Sequence, residues 1–303
     1  MNKYNLEEVI RMAITELSGV SRASANTLEA YGRDLRDFLD FCTEHNIDDI
    51  RLVKKNIILL HLKYLHEKEL AKNSISRKLS AIRRLFNFSV RNNLIEQSPV
   101  KKIPNPKFKR KLPETISLDS FLEIYRLIDE ENENDCSKRN KAIFELLYGC
   151  ALRVSELCGL NIGDIDLSGM NIRVFGKGSK TRIVPLGKKS KSIIEDYINS
   201  LENSHHGNPL LLYSNNERIT RHQVYSIVKK YLSRVSDIEK KSPHILRHSA
   251  ATHMLDRDAD LMAVKEILGH ENLSTTQIYT HVSIERLKKS YKKAHPKSQE
   301  ESL

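Results

Sequence analysis

Residues 170–187 read MNIRVFGKGSKTRIVPLG, and this stretch separates a mixed fold from an all-helical one. Ile172 and Val174 alternate with Arg173 and Phe175, GKGSK turns the chain, and a second alternation runs through Ile183 and Pro185. Side chains repeating every two residues on both sides of a glycine-bearing turn predict a β-hairpin. Lys177 sits between the two glycines of that turn. A nucleotide-phosphate loop is excluded, because it needs a strand, a Gly-rich turn and then a helix. Taken alone, such a lysine is a solvated tip.

Outside the hairpin the period is helical. CALRVSELCGL (150–160) sets Arg153 and Glu156 three apart, beside apolar Val154 and Leu157. Three residues on a helix share a face, and an arginine near a core needs a carboxylate or a phosphate. SPHILRHSAATHML (242–255) opens with Ser242 and Pro243 and then places His244 and Arg247 in the first turn, where free N–H groups and the helix dipole already favour an anion. MAVKEILGH ends in Gly269 and His270, and LGHENLSTTQIYTH (268–281) carries Ser274 and Gln277 at the spacing of a capping box, with Tyr279 following. A tyrosine is a poor nucleophile unless cations stabilise its oxyanion or the transition state. Singly, these residues read as a core ion pair, a helix cap and half-buried packing.

The N-terminal third is a second helical region. In ANTLEAYGRDLRDFLDFCTEH (25–45), Leu28, Tyr31, Leu35, Phe38, Leu39 and Cys42 recur every three or four residues; Ile75, Leu79, Ile82, Leu85 and Phe86 do so in 73–93. Helices over 5–17, 22–44, 54–70 and 73–93 predict a small bundle. On the last, Arg77, Lys78, Arg83, Arg84 and Arg91 fall outside the apolar stripe. Residues 1–113 carry 22 Lys/Arg against 13 Asp/Glu, leaving 28 against 26 for 114–303. KKIPNPKFKRKLPE (101–114) joins the two regions, and its Lys107, Lys109, Arg110 and Lys111 favour an anion. The expected organisation is a helical domain at 1–100, a basic Pro-rich linker at 101–113, a mainly helical α+β domain at 114–296 and a flexible tail at 297–303.

The whole chain of 303 residues has net charge +11, which points to a polyanionic partner. Its 4 cysteines form no CxxC pair, so they are read as reduced thiols rather than a disulfide frame or zinc site. The apolar runs are shorter than the roughly 20 residues of a membrane span. The acidic residues of MNKYNLEEVIRMAI do not suit a signal peptide. The reading is of an intracellular protein without a membrane partner.

In their order and spacing, Arg153, Lys177, His244 with Arg247, His270 and Tyr279 resemble the active-site set of the tyrosine recombinase (phage integrase) family. LLYGCALRVSELCGL, GKGSKTRIVPLG, HILRHSAATHML and LGHENLSTTQIYTH are similar to its Xer-type branch. Thr27, Tyr31, Asp34, Leu35 and Phe38 resemble that branch's N-terminal core-binding (SAM-like) domain, so the likeness covers nearly the whole chain. Cys150 departs from the threonine or other small residue frequent there, without touching a catalytic position.

The resemblance implies a mainly α fold with a small β-sheet: a helical core-binding bundle and a catalytic domain forming a C-shaped clamp on DNA. It implies that Tyr279 attacks a DNA phosphate to form a 3′-phosphotyrosyl bond, with Arg153 and Arg247 on the non-bridging oxygens. Lys177 becomes the general acid, His244 the proton acceptor, His270 a hydrogen-bond donor to the phosphate and Glu156 a supporting acceptor. No cofactor and no metal are required. Arg77, Lys78, Arg83, Arg84, Lys107, Lys109, Arg110 and Lys111 become candidate DNA contacts.

The implied partners are a double-stranded DNA recombination site, further recombinase protomers in a cyclic tetramer on two duplexes, a second Xer paralogue and a DNA translocase of the FtsK type. The implied place is the cytoplasm, at the nucleoid. The role is resolution of chromosome dimers at a dif-like site, the alternative being a phage or transposon recombinase with the same chemistry. A topoisomerase that reseals without strand exchange, a metal hydrolase built on His244, His248 and His253, and a DNA-binding regulator without catalysis are the competing classes. The C-terminal segment resembles the XerC branch more than XerD. Its stripe of Ile284, Leu287, Tyr291 and Ala294 is expected to dock on a neighbouring protomer.

Overall fold

The computed structural model describes residues 4–19, 25–106, 114–131, 135–176, 181–201, 205–213, 216–269 and 291. The chain divides into two compact units, Met1–Lys111 and Leu112–Leu303.

The first unit is built from α1 (Leu6–Gly19), α2 (Ala25–Glu44), α3 (Lys55–Glu67) and α4 (Lys72–Arg91). Its core is the apolar stripe of each helix: Leu6 and Val9, Leu35 and Phe38, Ile58, and Leu79, Ile82, Leu85 and Phe86 are all buried. Full burial of one such side chain contributes about 1.5–3 kcal/mol.

Two features depart from the sequence pattern. Lys78, expected on the polar face of α4, is buried against α2, 3.3 Å from Asp34 and also bonded to Asp37. Asp34 is itself only 1% exposed, and a buried carboxylate requires a cation. The start of the expected linker is packed structure: Ile103 joins Val100 in this core, and Arg83 donates to the Ile103 carbonyl and to Asn105 Oδ1.

In the second unit α5 (Leu118–Glu130) and α6 (Asp135–Phe144) precede a wide π turn, Glu145–Gly149. There follow α7 (Val154–Gly159), β1 (Ile165–Asp166), β2 (Asn171–Phe175), β3 (Thr181–Pro185), α8 (Lys188–Asn199), α9 (Arg221–Val235), α10 (Pro243–Asp256) and α11 (Leu261–Leu268). The sheet is antiparallel in the order β1-β2-β3, with Ile172 opposite Val184 and Val174 opposite Arg182. The fold is therefore mostly helical with a small sheet, as the sequence pattern implies, and β1 adds a strand to the hairpin. Ile172, Val174 and Val184 face the core, and so does Arg182, at 6% exposure.

The π turn is buried throughout. Glu145, fully buried, accepts hydrogen bonds from Ser190 Oγ at 2.6 Å and from the Tyr125 hydroxyl. Of the C-terminal stripe, Tyr291 alone is described, and it is buried in the core of this unit. Its hydroxyl, buried with the ring, finds an acceptor in the Gly149 carbonyl at 2.6 Å, which is what a buried phenol needs.

Candidate active site

Arg153 precedes the first turn of α7 rather than lying within the helix. It is the N-cap residue, and Glu156 reaches back to accept its backbone N–H at 2.8 Å. The same carboxylate accepts Arg153 Nη1 at 2.8 Å through Oε1. A third residue completes the arrangement: Arg182, on β3, forks onto both carboxylate oxygens, Nη1 to Oε1 at 2.7 Å and Nη2 to Oε2 at 2.9 Å. Arg247, one turn into α10, has Nη1 3.7 Å from Oε2. One carboxylate thus faces Arg153, Arg182 and Arg247, and among the described residues the cluster keeps two uncompensated positive charges.

The proton affinities follow. Burial alone would raise Glu156, but the hydrogen bonds and charge of Arg182 and then Arg153 outweigh it and hold the carboxyl at about 2. Burial, reinforced by the neighbouring charge of Arg153, pushes Arg247 down to about 9. Burial also lowers His244, with Arg247 and Arg153 adding to the effect. A neutral imidazole beside two guanidinium groups can accept a proton. Such a cluster is an anion site in waiting: three cations pressed together with one counter-charge are stabilised when a phosphate supplies the rest.

The same arginines close the end of α11. Arg182 Nε donates to Ile267 O at 2.9 Å, Arg247 Nη2 to Leu268 O, and Arg153 Nη2 to Gly269 O at 3.1 Å. Cations at a helix C-terminus meet the negative end of its dipole and its unpaired carbonyls. Gly269 caps the helix at φ +62, and an added Cβ would stand 3.1 Å from Arg182 Cδ. Arg247 Nη1 also holds the carbonyl of Ala151, a non-glycine residue at φ 49, a left-handed conformation that costs about 1 kcal/mol.

The N-terminal unit's candidate DNA contacts are placed unevenly. Arg77 is bonded to Asp34, Lys78 to Asp34 and Asp37, and Arg83 to the chain at 103 and 105. Arg84 is exposed and has no carboxylate partner among the described residues. Lys177, His270, Tyr279, Lys107, Lys109, Arg110 and Lys111 lie outside the described residues, as does the expected capping box at Ser274 and Gln277. The alternative metal triad does not assemble. His253 Nδ1 is hydrogen-bonded with the Tyr148 hydroxyl at 2.7 Å, and no His, Cys, Asp or Glu group that could hold a metal converges among the described residues.

The phage integrase family model matches residues 120–286, and the model of the phage integrase N-terminal SAM-like domain matches 14–93. The chain is 41% identical over 295 residues to tyrosine recombinase XerC of Pelobacter propionicus, 97% of each chain being covered. The chain belongs to the phage integrase family of tyrosine recombinases. It is accordingly a site-specific recombinase. Tyrosine recombinase XerD of Oceanobacillus iheyensis is 38% identical over 281 residues, 91% of this chain and 94% of that one. The fold is also that of the Tn1549 transposon integrase solved with circular intermediate DNA, at TM-score 0.72 and 18% identity over 93% of this chain and 98% of that one. The XerH recombinase bound to difH shares it at TM-score 0.66 and 21% identity, over 94% and 83%.

Within this recombinase the sequence reading missed Arg182. On a strand that alternates, an arginine between Thr181 and Ile183 reads as facing outward, and no short-range signal names its partners. No helix among the described residues is long and apolar enough to cross a membrane.

Proposed function

We propose that the recombinase cleaves one DNA strand by attack of Tyr279 Oη on a backbone phosphate. The P–O5′ bond breaks, a 3′-phosphotyrosyl bond forms, and the 5′-hydroxyl leaves. In this reading Lys177 gives a proton to the leaving O5′, His244 takes the proton of the tyrosine, and His270 donates to the phosphate. The observation that carries the reading is the cluster of Arg153, Arg182 and Arg247 on the single carboxylate of Glu156. Its surplus charge supports stabilisation of the extra negative charge of a pentacoordinate phosphate. Transesterification conserves the phosphodiester energy, so the reverse attack by a 5′-hydroxyl reseals the strand without a nucleotide or metal.

The identity to proteins named XerC and XerD supports a dif-like chromosomal site, with four protomers on two duplexes, a second Xer paralogue, an FtsK-type translocase and a place at the nucleoid. The test is a nicked suicide duplex carrying the host's candidate dimer-resolution site. A covalent protein–DNA band is expected, and tryptic mapping should place the nucleotide on Tyr279. Tight binding without a band on that site, but with one on the ends of a resident mobile element, would move the role to the element. Absence of a band on every site bound would reduce the protein to a DNA-binding regulator.

A further inference from the structure

Of the three arginines at the end of α11, Arg182 is the least exposed. It is 6% exposed, and three of its donors are committed, two to Glu156 and one to Ile267 O. We propose that Arg182 is a positioning residue for strand cleavage. It fixes the Glu156 carboxylate so that Arg153 is aimed, and it anchors the turn at Gly269 from which the chain runs to His270 and Tyr279. This rests on the reading of Arg153 as a phosphate ligand and Tyr279 as the nucleophile.

The charge balance says why the residue matters. With Arg182 in place, Glu156 is saturated: Oε1 accepts from Arg153 and Arg182, Oε2 from the Arg153 backbone and Arg182. Without it, that carboxylate becomes the counter-ion of Arg153 and of Arg247, 3.7 Å away, and competes with the phosphate for both. Lysine cannot substitute, because a point charge does not reproduce a planar fork with a third donor on Nε. The fit is tight as well as polar, since a Cβ on Gly269 would come within 3.1 Å of Arg182 Cδ and the arginine stem would have to give.

Arg182→Lys and Arg182→Met would be compared with the parent chain on the nicked suicide duplex carrying the candidate dimer-resolution site. A second duplex carries a neutral methylphosphonate at the mapped scissile position. Arg153 acts on the negative charge of a non-bridging oxygen, so a residue working through Arg153 matters less once that charge is gone. Relative to the parent on each duplex, cleavage is expected to fall about 10- to 30-fold on the phosphodiester and less than about 3-fold on the methylphosphonate, with DNA affinity within about 3-fold. Equal losses on the two duplexes, or no loss on either, would overturn the inference. So would failure of both variants to fold by circular dichroism, which would make Arg182 a residue of the fold alone. A parent chain that forms no adduct on the phosphodiester sinks the reading of Tyr279 itself, and the two failures are thereby told apart.

Discussion

The two units pair their cations differently. On α4, Arg77 and Lys78 meet Asp34 and Asp37, and Arg91 meets Glu16, so each of these cations has an acid. At the end of α11, Arg153, Arg182 and Arg247 share Glu156 alone among the described residues. Neutral pairs hold helices together and ask nothing of a partner. A surplus held by neighbouring carbonyls is a site that a polyanion completes. Richness in arginine therefore does not mark a phosphate site by itself; the ratio of cations to carboxylates, seen only in three dimensions, separates the two.

The sharpest break of this contrast is at the nucleophile. Tyr279→Phe removes one hydroxyl and no charge, so it should bind the recombination site as the parent does and form no covalent adduct at all. An adduct with this variant would show that another residue attacks. Next in size are the surplus cations. Arg153→Ala and Arg247→Ala should each slow single-turnover cleavage by at least about 100-fold while weakening binding by a few-fold, because they stabilise charge that builds up in the transition state. Losses of equal size in binding and cleavage would erase the difference drawn between the two units.

Glu156 allows a test by pH. Its folded-state value of about 2 lies below the ordinary carboxyl range near 4.3. A depressed carboxyl contributes stability above its unfolded pKa and loses it as pH falls toward the folded one. The contribution should be on the order of 3 kcal/mol at neutral pH and fade between about pH 4.5 and 2. Chemical denaturation of the parent and of Glu156→Gln, followed by a probe in the second unit, should give a difference that closes across that window. A gap that stays constant from pH 6 to 2 would remove the ion pairing as its cause.

How much of this was legible in the sequence depends on the kind of signal. Apolar spacing predicted the four helices of the first unit within a few residues, and alternation predicted the hairpin, because both patterns report burial of carbon. A buried ion pair leaves no such mark. Lys78 was read onto a solvent face since its acids lie on α2, more than one helix away in sequence, and Arg182 was missed since Glu156 and Ile267 are distant in the chain. Strand β1 spans two residues, too few to show a period, and the π turn at Glu145–Gly149 inserts into apolar text that reads as continuous helix. Arg153, Glu156, His244 and Arg247 read singly as an ion pair and a helix cap, and were legible as a candidate site only together, through their resemblance to the family's active-site set.

The smallest expected effect returns to α4 and compares two of its arginines. Arg84 is exposed and has no carboxylate partner among the described residues, whereas Arg77, 45% exposed, is bonded to Asp34. If α4 faces DNA, an unpaired arginine can displace a counterion from a phosphate without first giving up an acid. Arg84→Ala should then lower the slope of log affinity against log salt by about 0.9 and weaken binding uniformly across sequences. Arg77→Ala should leave that slope nearly unchanged and appear instead as a small loss of stability, because Asp34 keeps Lys78 at 3.3 Å but loses its second cation. Equal slopes for the two variants would mean that DNA draws Arg77 away from Asp34, and that pairing between α4 and α2 does not decide which cations reach the backbone.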